Sequence, residues 1–124
     1  MSTDELTRTN GLDVISSDRV EGTAVYGRDG DKIGSVQQLL ITKRGGKVTD
    51  VIISVGGFLG IGSDLHSMPW SKFDYDTELG GYRIDVTEDE LKNAPRFSND
   101  ERERAYDPAY QSRVYDYWMV APYW

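Results

Sequence analysis

From Val20 to Val86 the chain reads as short runs of β-favouring apolar residues, punctuated by Asp29-Gly30, Gly45-Gly46, Gly56-Gly57 and Gly80-Gly81. Such glycines supply the positive φ angles that tight turns need. The plainest hairpin runs from Ile33 to Val55 and turns at Arg44-Gly45-Gly46-Lys47. In its second strand Val51, Ile53 and Val55 alternate with Ile52 and Ser54, which predicts one strictly apolar face. In its first strand Leu39 and Ile41 share a face that Val36 does not share in regular register, so a bulge is expected near Gln37-Gln38. A second hairpin pairs Lys72–Asp76 with Tyr82–Val86, placing Tyr82, Ile84 and Val86 on one face against Arg83 and Asp85 on the other. About six short strands without an intervening helix predict a closed or nearly closed barrel, because closure removes exposed edges.

The pattern changes after Val86. Thr87-Glu88-Asp89-Glu90 has capping-box spacing, with Val86 and Leu91 placed as its hydrophobic staple, and Pro95 stops that helix. Ser98-Asn99-Asp100-Glu101 repeats the spacing, and Asp107-Pro108 gives an N-cap followed by proline at the first helical position. Beyond it Tyr110, Val114, Tyr117 and Trp118 fall on one helical stripe. The expected organisation is a flexible arm over 1–19, a β-barrel over 20–86, and short helices with an aromatic tail over 87–124.

Four segments join these elements to a known family. The run Val20-Glu21-Gly22-Thr23-Ala24-Val25-Tyr26-Gly27-Arg28-Asp29-Gly30-Asp31-Lys32-Ile33-Gly34-Ser35-Val36 resembles the opening of a PRC-barrel domain. Gly56-Gly57-Phe58-Leu59-Gly60-Ile61-Gly62, then Met68-Pro69-Trp70 and Tyr75-Asp76, resemble its later part. The resemblance implies a mainly β fold, a small six-stranded PRC-type barrel followed here by short C-terminal helices. The family occurs in the cytoplasmic part of the photosynthetic reaction-centre H subunit, in the C-terminal half of the ribosome maturation factor, and as stand-alone bacterial and archaeal proteins. The chain is similar to the stand-alone form. The implied function is a non-enzymatic protein-interaction or adaptor module. Assembly or regulation of a membrane electron-transport complex, and a ribosome-maturation role through a ribosomal protein, are the alternatives.

Composition narrows the chemistry. The chain has 124 residues, a net charge of −7 and no cysteine, so disulfides, thiolate catalysis and cysteine-based zinc sites are excluded. The charge is −2 over residues 1–19, −2 over 20–86 and −3 over 87–124, so no basic stripe offers counterion release and no direct nucleic-acid partner is expected. No apolar run nears the roughly 18 residues of a membrane-spanning helix. The start Met-Ser-Thr-Asp-Glu has no secretory pattern, so a cytoplasmic location is expected.

No catalytic residue, cofactor or metal is expected. The glycines from Gly56 to Gly62 match neither G-x-G-x-x-G nor the P-loop. His66 is the only histidine, and a Ser-His-Asp set would need Ser63, Ser67 or Ser71 to meet it in the fold. Asp29-Gly30-Asp31 fails as a calcium loop because Leu40 stands where the bidentate glutamate belongs. Asp64, Asp74, Asp76 and Glu78 are the carboxylates that a cleft would use for acid–base work. Seven of the fourteen aromatics crowd into residues 106–124: Tyr106, Tyr110, Tyr115, Tyr117, Trp118, Tyr123 and Trp124. Each such ring buries about 150–250 Å² when packed, so this tail must be covered by its own barrel, a second subunit or a partner. Phe58, Leu59, Ile61, Tyr110, Val114, Tyr117, Trp118, Tyr123 and Trp124 are therefore the expected interface, and a homodimer the expected assembly.

Overall fold

A computed structural model describes residues 14–56 and 64–122. A short helical turn, α1 (Ser17–Val20), precedes β1 (Ala24–Tyr26), β2 (Lys32–Ile41), β3 (Val48–Val55) and β4 (Asp64–Pro69). A 3-10 turn (Trp70–Lys72) leads into β5 (Asp74–Asp76) and β6 (Gly81–Arg83). Then come α2 (Glu88–Lys92), a 3-10 segment (Asn99–Tyr106) and α3 (Pro108–Trp118). The six strands form one mixed sheet in the order β4-β3-β2-β1-β6-β5, antiparallel except where β1 meets β6. Its two ends are not paired with each other, so the sheet does not close by strand hydrogen bonds.

Two register shifts interrupt the pairing of β2 with β3, and a third lies between β1 and β2 at Val25 and Tyr26. The one between Val36 and Gln38 lies where the sequence predicts a bulge. A second, between Leu40 and Ile41, was not expected; it separates Ile41, which is exposed, from the half-buried Leu39. Gly34 lies where β2 and β3 approach closely, and a Cβ there would collide with the Ser54 carbonyl oxygen. The second hairpin is shorter than the alternation suggested. Only Asp74–Asp76 and Gly81–Arg83 pair, while Ile84 and Val86 run on beside Tyr26 and Arg28 through backbone hydrogen bonds of 2.9 and 3.0 Å.

Val51, Ile53, Tyr82, Ile84 and Val86 are buried as the alternation predicts, and Val55 is half-buried. Strand β3 departs from simple alternation because Ile52 and Asp50 are buried too. It is an interior strand, flanked by β2 and β4. Val25, Val36, Leu65 and Met68 of the other strands join these residues, and the C-terminal segment completes a single continuous core, from Leu91, Ala94 and Phe97 to Ala105, Tyr110, Val114, Tyr115 and Trp118. Val20 also joins that core, since α1 is tied down by the Thr23 hydroxyl donating to the Arg19 carbonyl at 2.7 Å.

Ile53 has no exposed surface in this core. Ile53→Ala is expected to cost about 2–5 kcal/mol, a transfer loss plus a cavity, read from chemical denaturation with an unchanged m-value.

Candidate interaction surface

The aromatic helix α3 starts where side-chain chemistry dictates. Asp107 caps it by accepting the Ala109 N–H at 3.0 Å, and Pro108 occupies its first turn. It ends at Met119, whose φ of 57° places it in the left-handed region. Of the predicted stripe, Tyr110, Val114 and Trp118 are 1%, 0% and 6% exposed, and Tyr117 is half-buried. The covering surface is this chain's own sheet and α2.

Three tyrosine hydroxyls fasten the helix. Tyr110 Oη accepts the Ser67 N–H at 3.4 Å and donates to the Pro95 carbonyl at 3.2 Å. Tyr115 Oη donates to the Thr49 carbonyl at 2.6 Å, and Tyr117 Oη donates to the Glu90 carbonyl. Phe97 meets Tyr110 edge to face at 5.6 Å, and Lys72 Nζ lies 5.8 Å from the Trp118 ring centre. Tyr115 lies outside the predicted stripe yet is buried, because the helix contacts both β4 and β3 and so needs a wider apolar face than one stripe.

The same contacts explain how the edge of β4 is handled. The Leu65 N–H donates to the Phe97 carbonyl at 3.0 Å, and the Phe97 N–H returns to the Leu65 carbonyl at 2.9 Å. The next outward amide, Ser67, goes to Tyr110 Oη, and Pro69 has no amide hydrogen to offer. The edge that strand pairing leaves open is thus filled by residues far along the chain.

Of the expected interface, Tyr110, Val114, Tyr117 and Trp118 are therefore brought together on one helix face against the sheet. Phe58, Leu59, Ile61, Tyr123 and Trp124 lie outside the described residues. The large apolar side chains left exposed include Tyr106 before α3 and Met119 at its end, with Ile41, Tyr75 and Leu79 elsewhere.

The candidate polar groups do not assemble into a catalytic set among the described residues. His66 and Ser67 are consecutive on β4, so their side chains point to opposite faces. His66 is 2% exposed, and neither its Nδ1 nor the Ser67 hydroxyl has a hydrogen-bond partner. Burial is the main cause pushing the His66 imidazole below its usual range; Arg96 adds to this, while Asp64 and the Pro95 backbone oppose it. Asp74, Asp76 and Glu78 line one shallow groove with Tyr75, Thr77 and Arg83, whereas Asp64 sits apart, 3.6 Å from Arg96. Asp76 has a local role there, accepting the Glu78 and Leu79 N–H groups at 2.9 and 3.1 Å. No group of three or more histidines and carboxylates is placed to hold a metal ion among the described residues.

The six-stranded sheet and its sequence agree on a class. The PRC-barrel domain model matches residues 12–91, and the chain belongs to that family. An uncharacterised protein of Deinococcus radiodurans is 30% identical over 95 residues, which are 77% of this chain and 31% of that protein. The chain thus spans about a third of the length of that relative. A solved structure from Pseudomonas aeruginosa, described as a candidate 16S ribosomal RNA processing protein, RimM, is 19% identical. Its TM-score is 0.41, over 64% of this chain and 48% of that one.

Tyr115→Phe leaves the buried Thr49 carbonyl without its donor and is expected to destabilise the protein by about 1–3 kcal/mol in chemical denaturation. His66 titrates at a lower pH in the fold than in the unfolded chain, where its value is about 6.5. The unfolded state therefore takes up the proton first, and stability falls as pH drops below about 7. His66→Gln is expected to flatten that part of the stability–pH curve. A slope unchanged between about pH 7.5 and 5 contradicts the assignment.

Proposed function

We propose that this PRC-barrel chain is a non-enzymatic protein-interaction module that works by surface complementarity. The observation that carries this reading is the isolation of its only histidine. His66 is buried on β4 with the neighbouring Ser67 turned to the opposite face, and burial pushes its imidazole below the usual range, so this histidine and Ser67 form no base–nucleophile pair. The exposed ends of the helical cover, Tyr106 and Met119, are the apolar groups most suited to contact a second protein. The first expected partner is a second copy of the chain, with the aromatic tail at or beside the interface. The net charge of −7 favours a basic protein as a different partner, which supports the ribosomal-protein reading over a nucleic-acid one. Assembly of a membrane electron-transport complex rests on family membership alone.

Sedimentation equilibrium of the full chain at high micromolar concentration tests the dimer. The expected result is a self-associating species that Met119→Asp together with Tyr106→Asp converts to monomer without loss of stability. A monomer throughout the wild-type concentration series contradicts self-association and leaves a basic protein partner as the surviving form of the reading.

A further inference from the structure

Asp50 is 0% exposed, and neither of its carboxylate oxygens has a hydrogen-bond partner. It lies on β3, opposite Leu40 of β2 and Pro69 of β4, neither of which has a polar side chain. A carboxylate in such a place has lost its water with no counter-ion and no donor beyond a small pull from the neighbouring Thr49 hydroxyl, and the neutral acid is then the form that the fold tolerates.

The helix α3 grips the sheet around this residue. Tyr115 donates to the carbonyl of Thr49, the residue before Asp50, at 2.6 Å. Tyr110 holds the Ser67 amide, two residues from Pro69 on the neighbouring strand. The charged and titratable groups nearby offer Asp50 no compensation. Tyr110 itself is pushed up, chiefly by burial, with Asp50 adding to the shift. Arg113 lies over the Tyr110 ring, 5.7 Å from its centre, and makes none of the ion pairs found among the described residues. From β4, His66 is turned to the other face. The Thr49 hydroxyl, which draws the Asp50 carboxyl back a little, donates to the Leu40 carbonyl at 3.3 Å.

We propose that Asp50 makes the seating of α3 on the sheet depend on pH, the helix being held while the carboxyl carries its proton and loosened when the proton leaves. This goes beyond the interaction reading and stands without it. Burial moves the Asp50 carboxyl above the ordinary carboxylate range in the seated state. A raised acid binds its proton more tightly when seated than when released, so seating is complete at acid pH. It is lost as pH rises through the carboxyl's raised range, the opposite direction to the effect of His66. Loosening is local because α3 can leave while β2, β3 and β4 keep their ladder, and local opening costs less than global unfolding.

Hydrogen exchange of the full chain at about pH 5.5 and about pH 8.5, corrected for intrinsic rates, tests this. Protection of the α3 amides is expected to fall roughly tenfold or more at the higher pH while the Val51, Ile52 and Ile53 amides hold theirs. Asp50→Asn should remove that difference, since the amide is neutral at both values. An α3 protection independent of pH in the wild type, or a drop that survives in Asp50→Asn, overturns the proposal. Carbon-13 titration of the Asp50 carboxyl in the wild-type chain needs no variant that might misfold. A midpoint above the ordinary carboxylate range supports the latch, and a midpoint within that range overturns it.

Discussion

A sheet that does not close leaves two rows of unpaired backbone groups, and the rest of this structure is organised around one of them. The outward side of β4 cannot be left buried and unpaired, because each orphaned amide costs about as much as a lost hydrogen bond. The chain meets that requirement with three devices of different chemistry: a two-way bridge from Leu65 to Phe97, a phenol from Tyr110 on the Ser67 amide, and a proline at position 69. All the partners lie beyond Pro95 except Pro69 itself. The C-terminal segment is therefore structural completion for the barrel, and the aromatic content of that segment follows from the surface it has to cover. The other edge, β5, is only three residues long and carries Asp74 and Asp76, features that discourage pairing with a stray strand.

Much of this was legible in the residues. The bulge near Gln37-Gln38 followed from a phase conflict between Val36 and Leu39, and both capping boxes followed from spacing alone. Each is a local signal, written within a few residues of its effect. What escaped the sequence depends on partners distant along the chain. Ile52 and Asp50 break the alternation because β3 is an interior strand, and nothing near residue 50 announces its neighbours. The second bulge, at Leu40 and Ile41, left no phase conflict to find. Tyr115 sits off the helical stripe, and its burial is set by the Thr49 carbonyl 66 residues away. The bridge between Leu65 and Phe97 had no sequence signal at all, since a backbone pairing places no demand on side-chain type.

The same geometry bears on chemistry and on function. Two buried polar groups, His66 and Asp50, are held apart from the chemistry of the surface. His66 and Ser67 are separated by the pleat of one strand, and Asp50 is enclosed without a donor. Asp50 and His66 move away from their ordinary pKa values in opposite directions for one reason: burial penalises the charged form of each. Tyr110, Val114 and Trp118 of the aromatic stripe lie on the inner face of a helix packed on this chain's own sheet.

The dependence of the barrel on its tail is open to one direct measurement: equilibrium unfolding of the chain truncated after Pro95, alongside exchange of the Leu65 and Ser67 amides. If Phe97 and α3 complete the β4 edge, truncation lowers stability by several kcal/mol, and those two amides lose protection before the interior amides of β3 do. A truncated chain as stable as the full one, with the Leu65 and Ser67 amides still protected, would show that the barrel closes its edge without the tail.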